Sequence, residues 1–280
     1  MKKSRNSKVI FAVCLGLVAL VTGVNRVVSQ CIEEEVLPSE VGGVSRVVCE
    51  NLEMPAELRG RSETVLRKSQ FVISYDTEML CPNYVCWSLD AERVNGKVKR
   101  TDNFHADPAL MGNDRVESSD YVGAGYDRGH MCPAADNKNS AVAMDESFCM
   151  TNVCPQNQNL NRGAWNELEQ LCRDWACDYG TIYICCGPIF DKARPRRIGT
   201  RKGVKIAVPD RFFKVVLYLG RVSKAIGFVY PNEACRGDIR DYAMSVDEVE
   251  EITGMDFFFQ LDDEEEERLE SVCNPAAWGI

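Results

Sequence analysis

Two neighbouring segments of this 280-residue chain carry dense patterns of polar residues that restrict how it can fold. Residues 126–140 read YDRGHMCPAADNKNS and include His130, one of only two histidines in the sequence. Residues 151–169 read TNVCPQNQNLNRGAWNELE and run from amide side chains into a helical pattern. Apolar residues then recur at three- and four-residue intervals, which predicts a helix from about Arg162 to Ala176. We expect the fold to bring the polar loop and this helix to one site.

The rest of the chain predicts a mixed α/β domain. Hydrophobic residues make up 45% of the sequence, which is enough to build a substantial core. Segments rich in aromatic and β-branched residues predict strands over 71–75, 84–89, around 148–153, and over 181–186, 211–219 and 224–230. Residues 220–223 are the predicted hairpin turn between the last two strands. Residues 95–120 are loop-like, 246–254 are helical, and 257–261 should pack on the core.

The first 30 residues have the layout of a secretory signal. Four basic residues within positions 2–8 precede an apolar run over residues 9–24. The run is short for a membrane span. We therefore predict a signal peptide over residues 1–29 and an extended lead-in over 30–59. The predicted location is exported, secreted or periplasmic, with an uncleaved N-terminal membrane anchor as the alternative.

The fourteen cysteines agree with export. Three pairs, at positions 81 and 86, 149 and 154, and 172 and 177, are each separated by four residues. Zinc and thioredoxin-like redox sites favour a two-residue separation, so structural disulfides or buried thiols are expected instead. Cys185 and Cys186 are adjacent in a predicted strand, so their side chains should point to opposite faces and not bond to each other.

Charge is distributed unevenly along the chain, whose net charge is −9. Residues 247–270 carry twelve acidic side chains and one arginine, whereas residues 192–205 carry seven basic side chains and no acidic one. A basic segment is often only a solvated surface, but it can also line a groove for a phosphate backbone. The acidic run over 262–267 should stay in solvent away from such a groove, because it would repel nucleic acid.

The two polar segments resemble the DNA/RNA non-specific endonucleases, a family that includes endonuclease G and secreted bacterial nucleases. The family's DRGH motif stands at 127–130, and its second motif stands at Asn152, Pro155, Gln156, Asn161 and Trp165. The resemblance covers residues 60–261, with weaker pieces at 187–190, 209–217 and 252–258. It implies an α+β fold with a ββα-metal (His-Me finger) core set in a larger, mainly antiparallel sheet with flanking helices. Residues 262–280 would then form an acidic C-terminal tail.

The resemblance also implies catalytic roles. His130 is placed as the general base that takes a proton from the attacking water, which suits a side chain that titrates near neutral pH. Arg128 is placed on the scissile phosphate, because a guanidinium stays charged and can bind two oxygens. Arg100 corresponds to the family's upstream substrate-binding arginine, although its spacing is shifted. Asn152 matches a position that supports the substrate or the histidine loop, and Asp127 should hold the loop or pair with an arginine.

Asn161 matches the family's metal-binding asparagine and is also placed to cap the predicted helix. A neutral amide oxygen suits Mg²⁺, an ion that keeps several of its waters, and Mn²⁺ could replace it. Glu169 lies about two turns further along the same helix face. It matches the family's glutamate that orients a metal-bound water.

These roles predict an exported, Mg²⁺-dependent endonuclease that hydrolyses DNA and RNA with little sequence preference. By the resemblance, it should leave 5′-phosphate and 3′-hydroxyl ends. One alternative is an exported binding protein that keeps the nuclease fold without turnover. Another is a cysteine hydrolase that pairs one thiol with His130, although no local cysteine-peptidase signature supports it. DNA and RNA are the predicted partners, and a homodimer is compatible with the sequence.

Overall fold

Alternating apolar residues build a large sheet in the computed structural model, which describes residues 51–280. The strands are β1 (Thr64–Arg67), β2 (Val72–Asp76), β3 (Cys81–Leu89), β4 (Asp127–His130), β5 (Val153–Gln156), β6 (Ile182–Ile189), β7 (Arg197–Ile198), β8 (Ile206–Ala207), β9 (Arg211–Tyr218), β10 (Lys224–Pro231) and β11 (Ala243–Met244). The helices are α1 (Ala91–Asn95), α2 (Ala141–Ser147), α3 (Gln158–Arg162), α4 (Ala164–Tyr179), α5 (Val246–Thr253) and α6 (Asp263–Glu270). The predicted α+β class is confirmed.

Seven strands form one sheet in the order β1-β2-β3-β6-β9-β10-β11, and every neighbouring pair is antiparallel. Residues of β9 alternate between two cores, because successive side chains of a strand point to opposite faces. Phe212 and Val216 join the core under α4, whereas Phe213 and Val215 join the core under α5 and α6. The hairpin predicted at 220–223 is confirmed, since β9 pairs with β10 from Tyr218 onward.

The site is built on a second, smaller sheet of β4 and β5, followed by α3 and α4. Two predictions in this region were wrong in detail. The strand expected around 148–153 begins only at Val153, because residues 150–152 form a 3₁₀ turn. The helix expected from Arg162 begins earlier and is interrupted at Gly163, where an added Cβ would lie 2.7 Å from the Asn159 carbonyl oxygen.

The C-terminal segment, predicted as an acidic tail over 262–280, is folded against the domain. Its acidic residues open α6, and most of those over 262–267 are exposed as expected. Trp278 is 1% exposed, and its carbonyl oxygen accepts a 2.8 Å hydrogen bond from Trp175 Nε1 on α4. The cores on both faces of the sheet therefore receive residues from the end of the chain, Trp278 in one and Leu269 in the other.

The eleven cysteines within residues 51–280 are free thiols, and eight of them are buried. Of the two alternatives that the sequence left open, the structure shows buried thiols in this part of the chain. Cys186 lies in the core under α4 and Cys185 in the core under α5, as the strand alternation predicted. The predicted signal peptide and most of the lead-in lie outside the described residues. Within the described residues, no helix has the length and apolarity needed to cross a membrane.

Candidate active site

The DRGH segment is strand β4, and its glycine is required by a close contact with β5. Asp127 pairs with Gln156, and His130 pairs with Val153 across the antiparallel hairpin. A Cβ at Gly129 would lie 2.2 Å from Gln156 Oε1 and 2.6 Å from Gln156 Cβ. No other residue fits there without moving the buried Gln156 side chain, so the hairpin fixes the histidine relative to β5.

His130 lies at the end of β4 with its ring packed against two phenylalanines. Its ring centroid is 5.0 Å from those of Phe104 and Phe148, and the residue is 8% exposed. Nε2 is buried and has no hydrogen-bond partner among the described residues. Burial, followed by the positive charges of Arg100 and Arg128, lowers the pKa of His130 to about 3. The imidazole is therefore neutral at pH 7 and able to accept a proton.

Asn152 holds the loop that follows His130. Its Oδ1 accepts a 2.9 Å hydrogen bond from Cys132 N, and its Nδ2 donates 2.8 Å bonds to the carbonyl oxygens of Cys132 and Ser147. The side chain is fully buried. Since these backbone groups already occupy both ends of the amide, Asn152 acts as a positioning residue. Of the two roles that the resemblance allowed for Asn152, these hydrogen bonds support that of holding the histidine loop, and its place among the catalytic residues stays a prediction.

Asp127 fixes the residues at the end of α3. Its carboxylate accepts two 2.9 Å hydrogen bonds from Arg162 and a 3.1 Å bond from Asn161 Nδ2. The pairing with an arginine expected for Asp127 is therefore present. Because the Asn161 amide nitrogen faces Asp127, Oδ1 is directed away from this carboxylate, and no described residue donates to it. Asn161 does not cap the predicted helix, because α4 begins after Gly163 without a side-chain cap, and the residue that caps α3 is Asn157, whose side chain accepts from Asn159 N at 2.9 Å.

Three of the predicted residues line one cleft of about 340 Å³: Arg100, Arg128 and Asn161. The Arg128 guanidinium carbon lies 4.2 Å from the centroid of the Phe104 ring, and that of Arg100 lies 5.0 Å from Phe148. The two phenylalanines that enclose His130 therefore also support the two arginines. Arg100, whose spacing in the sequence was shifted, lines the same cleft as Arg128, and its Nε donates a 2.6 Å hydrogen bond to Asp102.

Glu169 is half-buried on α4 and is not part of the cleft lining. Burial raises its pKa to about 7, although the nearby positive charges of Lys214, Arg173 and Arg100 oppose the shift. The influence of Arg100 on both His130 and Glu169 shows that the helix and the hairpin share one electrostatic environment. The ligand that the resemblance implied for a divalent ion is Asn161, whose Oδ1 accepts no hydrogen bond from a described residue and is therefore available to bind an ion.

Sequence reasoning missed a network of buried charges behind Glu169. Arg173 Nη1 donates to Asp136 Oδ1 at 3.0 Å, and Trp87 Nε1 donates to Asp136 Oδ2 at 3.2 Å. Lys214, 1% exposed, lies with Nζ 4.7 Å from the Trp165 ring centroid. Two signals could have found these residues. Arg173 follows Glu169 by one helical turn, and Lys214 interrupts an apolar strand.

The basic segment over 192–205 meets the rim of the cleft. Arg196 Nη1 lies 3.3 Å from the hydroxyl of Tyr126, a residue that lines the cleft. Arg201 forms an ion pair with the buried Asp120 at 2.6 Å, which anchors the segment beside the cleft. The basic segment therefore lies beside the cleft.

Two antiparallel strands followed by a helix, with a buried histidine on one side and an asparagine on the other, define a ββα-metal nuclease. The DNA/RNA non-specific endonuclease family matches residues 53–264, and the chain belongs to this family. The type of reaction is therefore endonucleolytic hydrolysis of nucleic acid.

Individual relatives agree with this assignment. A nuclease of Nostoc sp. is 34% identical over 216 residues, which cover 73% of this chain and 76% of that protein. The mitochondrial nuclease EXOG of Xenopus laevis is 31% identical over 236 residues, or 79% of this chain, but the match spans only 65% of EXOG. A chain from the crystal structure of the EndoG/EndoGI complex has a TM-score of 0.67 and 30% identity, and the match covers 71% of this chain and 87% of that one.

Proposed function

We propose that this protein is an exported, Mg²⁺-dependent endonuclease that cuts DNA and RNA with little sequence preference. The observation that carries the proposal is the cleft where Arg100, Arg128 and Asn161 meet beside a neutral His130. Export is supported by the signal-like pattern of the first 29 residues. A homodimer remains a prediction from the sequence.

His130 is proposed as the general base. Its Nε2, which has no hydrogen-bond partner among the described residues, is the atom proposed to take a proton from the attacking water. The low pKa of His130 in the free protein depends partly on Arg100 and Arg128. A bound phosphate would offset those two charges and move the pKa of His130 upward, towards the range where a base is effective. General-base catalysis of this kind contributes about 10²- to 10⁴-fold to the rate.

Arg128 and Arg100 are proposed to bind the scissile phosphate. Both guanidinium groups lie over aromatic rings, which restricts their motion before the substrate arrives. A guanidinium can donate two parallel hydrogen bonds to a phosphate and stabilise the additional negative charge of the transition state. Phosphodiester hydrolysis depends largely on such positioning and electrostatics.

Asn161 is the residue proposed to hold the divalent ion, with Mn²⁺ able to replace Mg²⁺. When bound, such an ion offsets negative charge on the phosphate and the leaving oxygen. Asp127 keeps the amide nitrogen of Asn161 turned away, so that Oδ1 is the atom presented to the ion. Glu169 would orient a water beside that ion, as the family resemblance implies.

Backbone phosphates beyond the scissile one would lie along the basic segment over 192–205. Its lack of acidic residues supports binding to either nucleic acid, because phosphate contacts carry no sequence information. Binding should therefore weaken steeply as salt is raised.

Digestion of plasmid DNA and of RNA in Mg²⁺ tests the proposal. We expect both substrates to be cut, with 5′-phosphate ends, and EDTA to abolish cutting until Mg²⁺ or Mn²⁺ is restored. His130→Ala should lower the rate by about 10²- to 10⁴-fold. His105→Ala is the matched control, because His105 is the other histidine and its ring contacts backbone carbonyls outside the cleft. Well-folded protein that binds nucleic acid without cutting it would support the binding-protein alternative. Cutting that survives EDTA would exclude the proposed metal dependence.

A further inference from the structure

Acidic side chains gather between α5 and α6, on the sheet face opposite the cleft. Asp247 and Glu250 lie one turn apart on α5, and Glu266 and Glu270 lie one turn apart on α6. Asp256 adds a fifth carboxylate whose charge acts on Glu250, Glu266 and Glu270. None of the five forms an ion pair with a basic side chain of residues 51–280. The cluster therefore has a strong excess of negative charge.

Glu270 gives a second and independent indication that this cluster receives a ligand. The residue is only 3% exposed, and its Oε1 is buried without any hydrogen-bond partner among the described residues. Burying a carboxylate without a partner is costly, so such groups in proteins are normally paired, bound to a metal or protonated. Burial, followed by the charge of Glu250, raises the pKa of Glu270 to about 9. The surroundings of Glu270 thus lack a positive charge.

We propose that Asp247, Glu250 and Glu270 form a binding site for Ca²⁺. One carboxylate oxygen of each residue lies within 4.8 Å of those of the other two. Two oxygens that bind one Ca²⁺ at about 2.3–2.6 Å cannot be further apart than roughly 5 Å, so the three oxygens meet the spacing that a shared ion requires. Glu250 is already oriented, because its Oε1 accepts a 2.6 Å hydrogen bond from Phe257 N and its other oxygen remains available.

The donor chemistry selects a hard cation. All three ligands are carboxylates, which suit Ca²⁺ or Mg²⁺ and not the softer ions that prefer nitrogen or sulfur. Ca²⁺ accepts irregular geometry and several carboxylates, whereas Mg²⁺ demands a near-octahedral shell and keeps its waters. The site joins α5 to α6, and Glu270 lies beyond the residues that match the endonuclease family. Its effect should therefore be to fasten the C-terminal helix to the sheet, independently of nucleic acid hydrolysis.

Thermal unfolding with and without Ca²⁺ tests this site. The background is Asn161→Ala, which removes the proposed ligand of the catalytic ion. Ca²⁺ at about 100 times its Kd should raise Tm by roughly 5–10 °C. Equilibrium dialysis of the same protein should find one bound Ca²⁺ per chain. Mg²⁺ should have a smaller effect, and NaCl at equal ionic strength should have none.

The decisive variant adds Glu270→Gln to that background. It should abolish both the Tm response and the bound Ca²⁺, while Glu264→Gln, an exposed change on the same helix, should leave both intact. Glu270→Gln should fold, because glutamine has nearly the shape of glutamate and is neutral, as a carboxyl with a pKa of about 9 is at pH 7, and an unchanged circular dichroism spectrum would verify this. Asp247→Asn provides a second test of the same site if Glu270→Gln does not fold. An equal Ca²⁺ response with and without Glu270, or none in the background protein, would overturn the proposal. Since no step measures cutting, failure here is separable from failure of the nuclease proposal.

Discussion

Buried charged side chains are paired on one face of the central sheet, whereas carboxylates on the other face are crowded together without basic partners. Under α4, Arg173 is 5% exposed and pairs with the 1% exposed Asp136 at 3.0 Å. Close to the same face, Asp107 is paired with Lys68 at 2.6 Å, and hydrogen bonds from Lys68 and Thr151 lower the pKa of Asp107 although burial opposes them. Under α5 and α6, by contrast, carboxylates are crowded together and their pKa values are raised.

This separation explains how a chain with a net charge of −9 can belong to a family that acts on polyanions. The acidic excess is concentrated over residues 247–270, on the far face, while the cleft carries Arg100 and Arg128. The low-dielectric core between the faces keeps the two sets of charges apart, and salt screens the remaining interaction over about 10 Å. Net charge is therefore a poor guide to the partner of this protein, and the local charge of each face is a better one.

The largest expected effect comes from breaking the buried pair under α4. Asp136→Ala leaves Arg173 charged, buried and without its partner, and it also removes the acceptor of Trp87 Nε1. We expect the free energy of unfolding to fall by about 3–5 kcal/mol, measured by urea denaturation at pH 7. Asp178→Ala, an exposed change near the end of α4, should alter it by less than about 0.5 kcal/mol. Equal effects of the two substitutions would show that Arg173 finds another partner.

A smaller effect, on activity and not on folding, is expected from Arg128. Arg128→Ala should lower kcat/KM by about 10²- to 10³-fold, as the loss of a donor to transition-state charge does. Arg128→Lys should recover only part of the lost kcat/KM, because lysine keeps the positive charge but cannot donate two parallel hydrogen bonds to a phosphate. Since Arg128 helps to lower the pKa of His130, the acidic limb of the pH–rate profile should also shift to higher pH in Arg128→Ala.

Arg221→Ala, in the exposed turn after β9, serves as the matched control. A loss in kcat/KM with an unmoved acidic limb would separate phosphate binding by Arg128 from its effect on His130.

Much of the fold was predictable because apolar periodicity records which face of a strand is buried. The strands over 71–75, 181–186, 211–219 and 224–230 and the opposed thiols of Cys185 and Cys186 followed from that pattern. Errors arose where local chemistry overrides periodicity. Gly163 interrupts the predicted helix, although the apolar spacing continues on both sides of it. Residues 150–152 form a 3₁₀ turn before β5, and this turn contains Asn152.

The candidate site was predictable only where a residue's type is rare in its context. His130 and Asn161 stand in dense motifs, whereas Phe104 and Phe148 look like ordinary core residues until the structure places them around the imidazole. The ion pair between Asp136 and Arg173 could not be predicted from the sequence, because 37 residues separate the two. Sequence spacing predicts which residues are neighbours within one helix or strand. Contacts between residues of different elements can be identified only from the three-dimensional structure.

The smallest expected effect concerns the acidic face, and it sharpens the contrast with the paired charges under α4. Glu250 and Glu270 have pKa values raised to about 7 and about 9 in the folded protein, above the usual value of about 4.3 for an unfolded chain. The folded state therefore holds more protons than the unfolded state between these limits, so stability falls as pH rises through this window. In EDTA, we expect Tm to drop by roughly 2–5 °C between pH 5 and pH 9, because solvent screens the part of the cluster that is exposed.

Glu270→Gln should flatten that pH dependence, since glutamine carries no proton to lose over the range. Glu264→Gln should leave it unchanged, because Glu264 is exposed on α6 and lies outside the cluster. Differential scanning calorimetry at fixed ionic strength measures all three proteins. Parallel curves for the parent and Glu270→Gln would mean that the acidic face relaxes to separate its carboxylates. The charged side chains between α5 and α6 would then be more mobile than the ion pair under α4, in addition to being all of one sign.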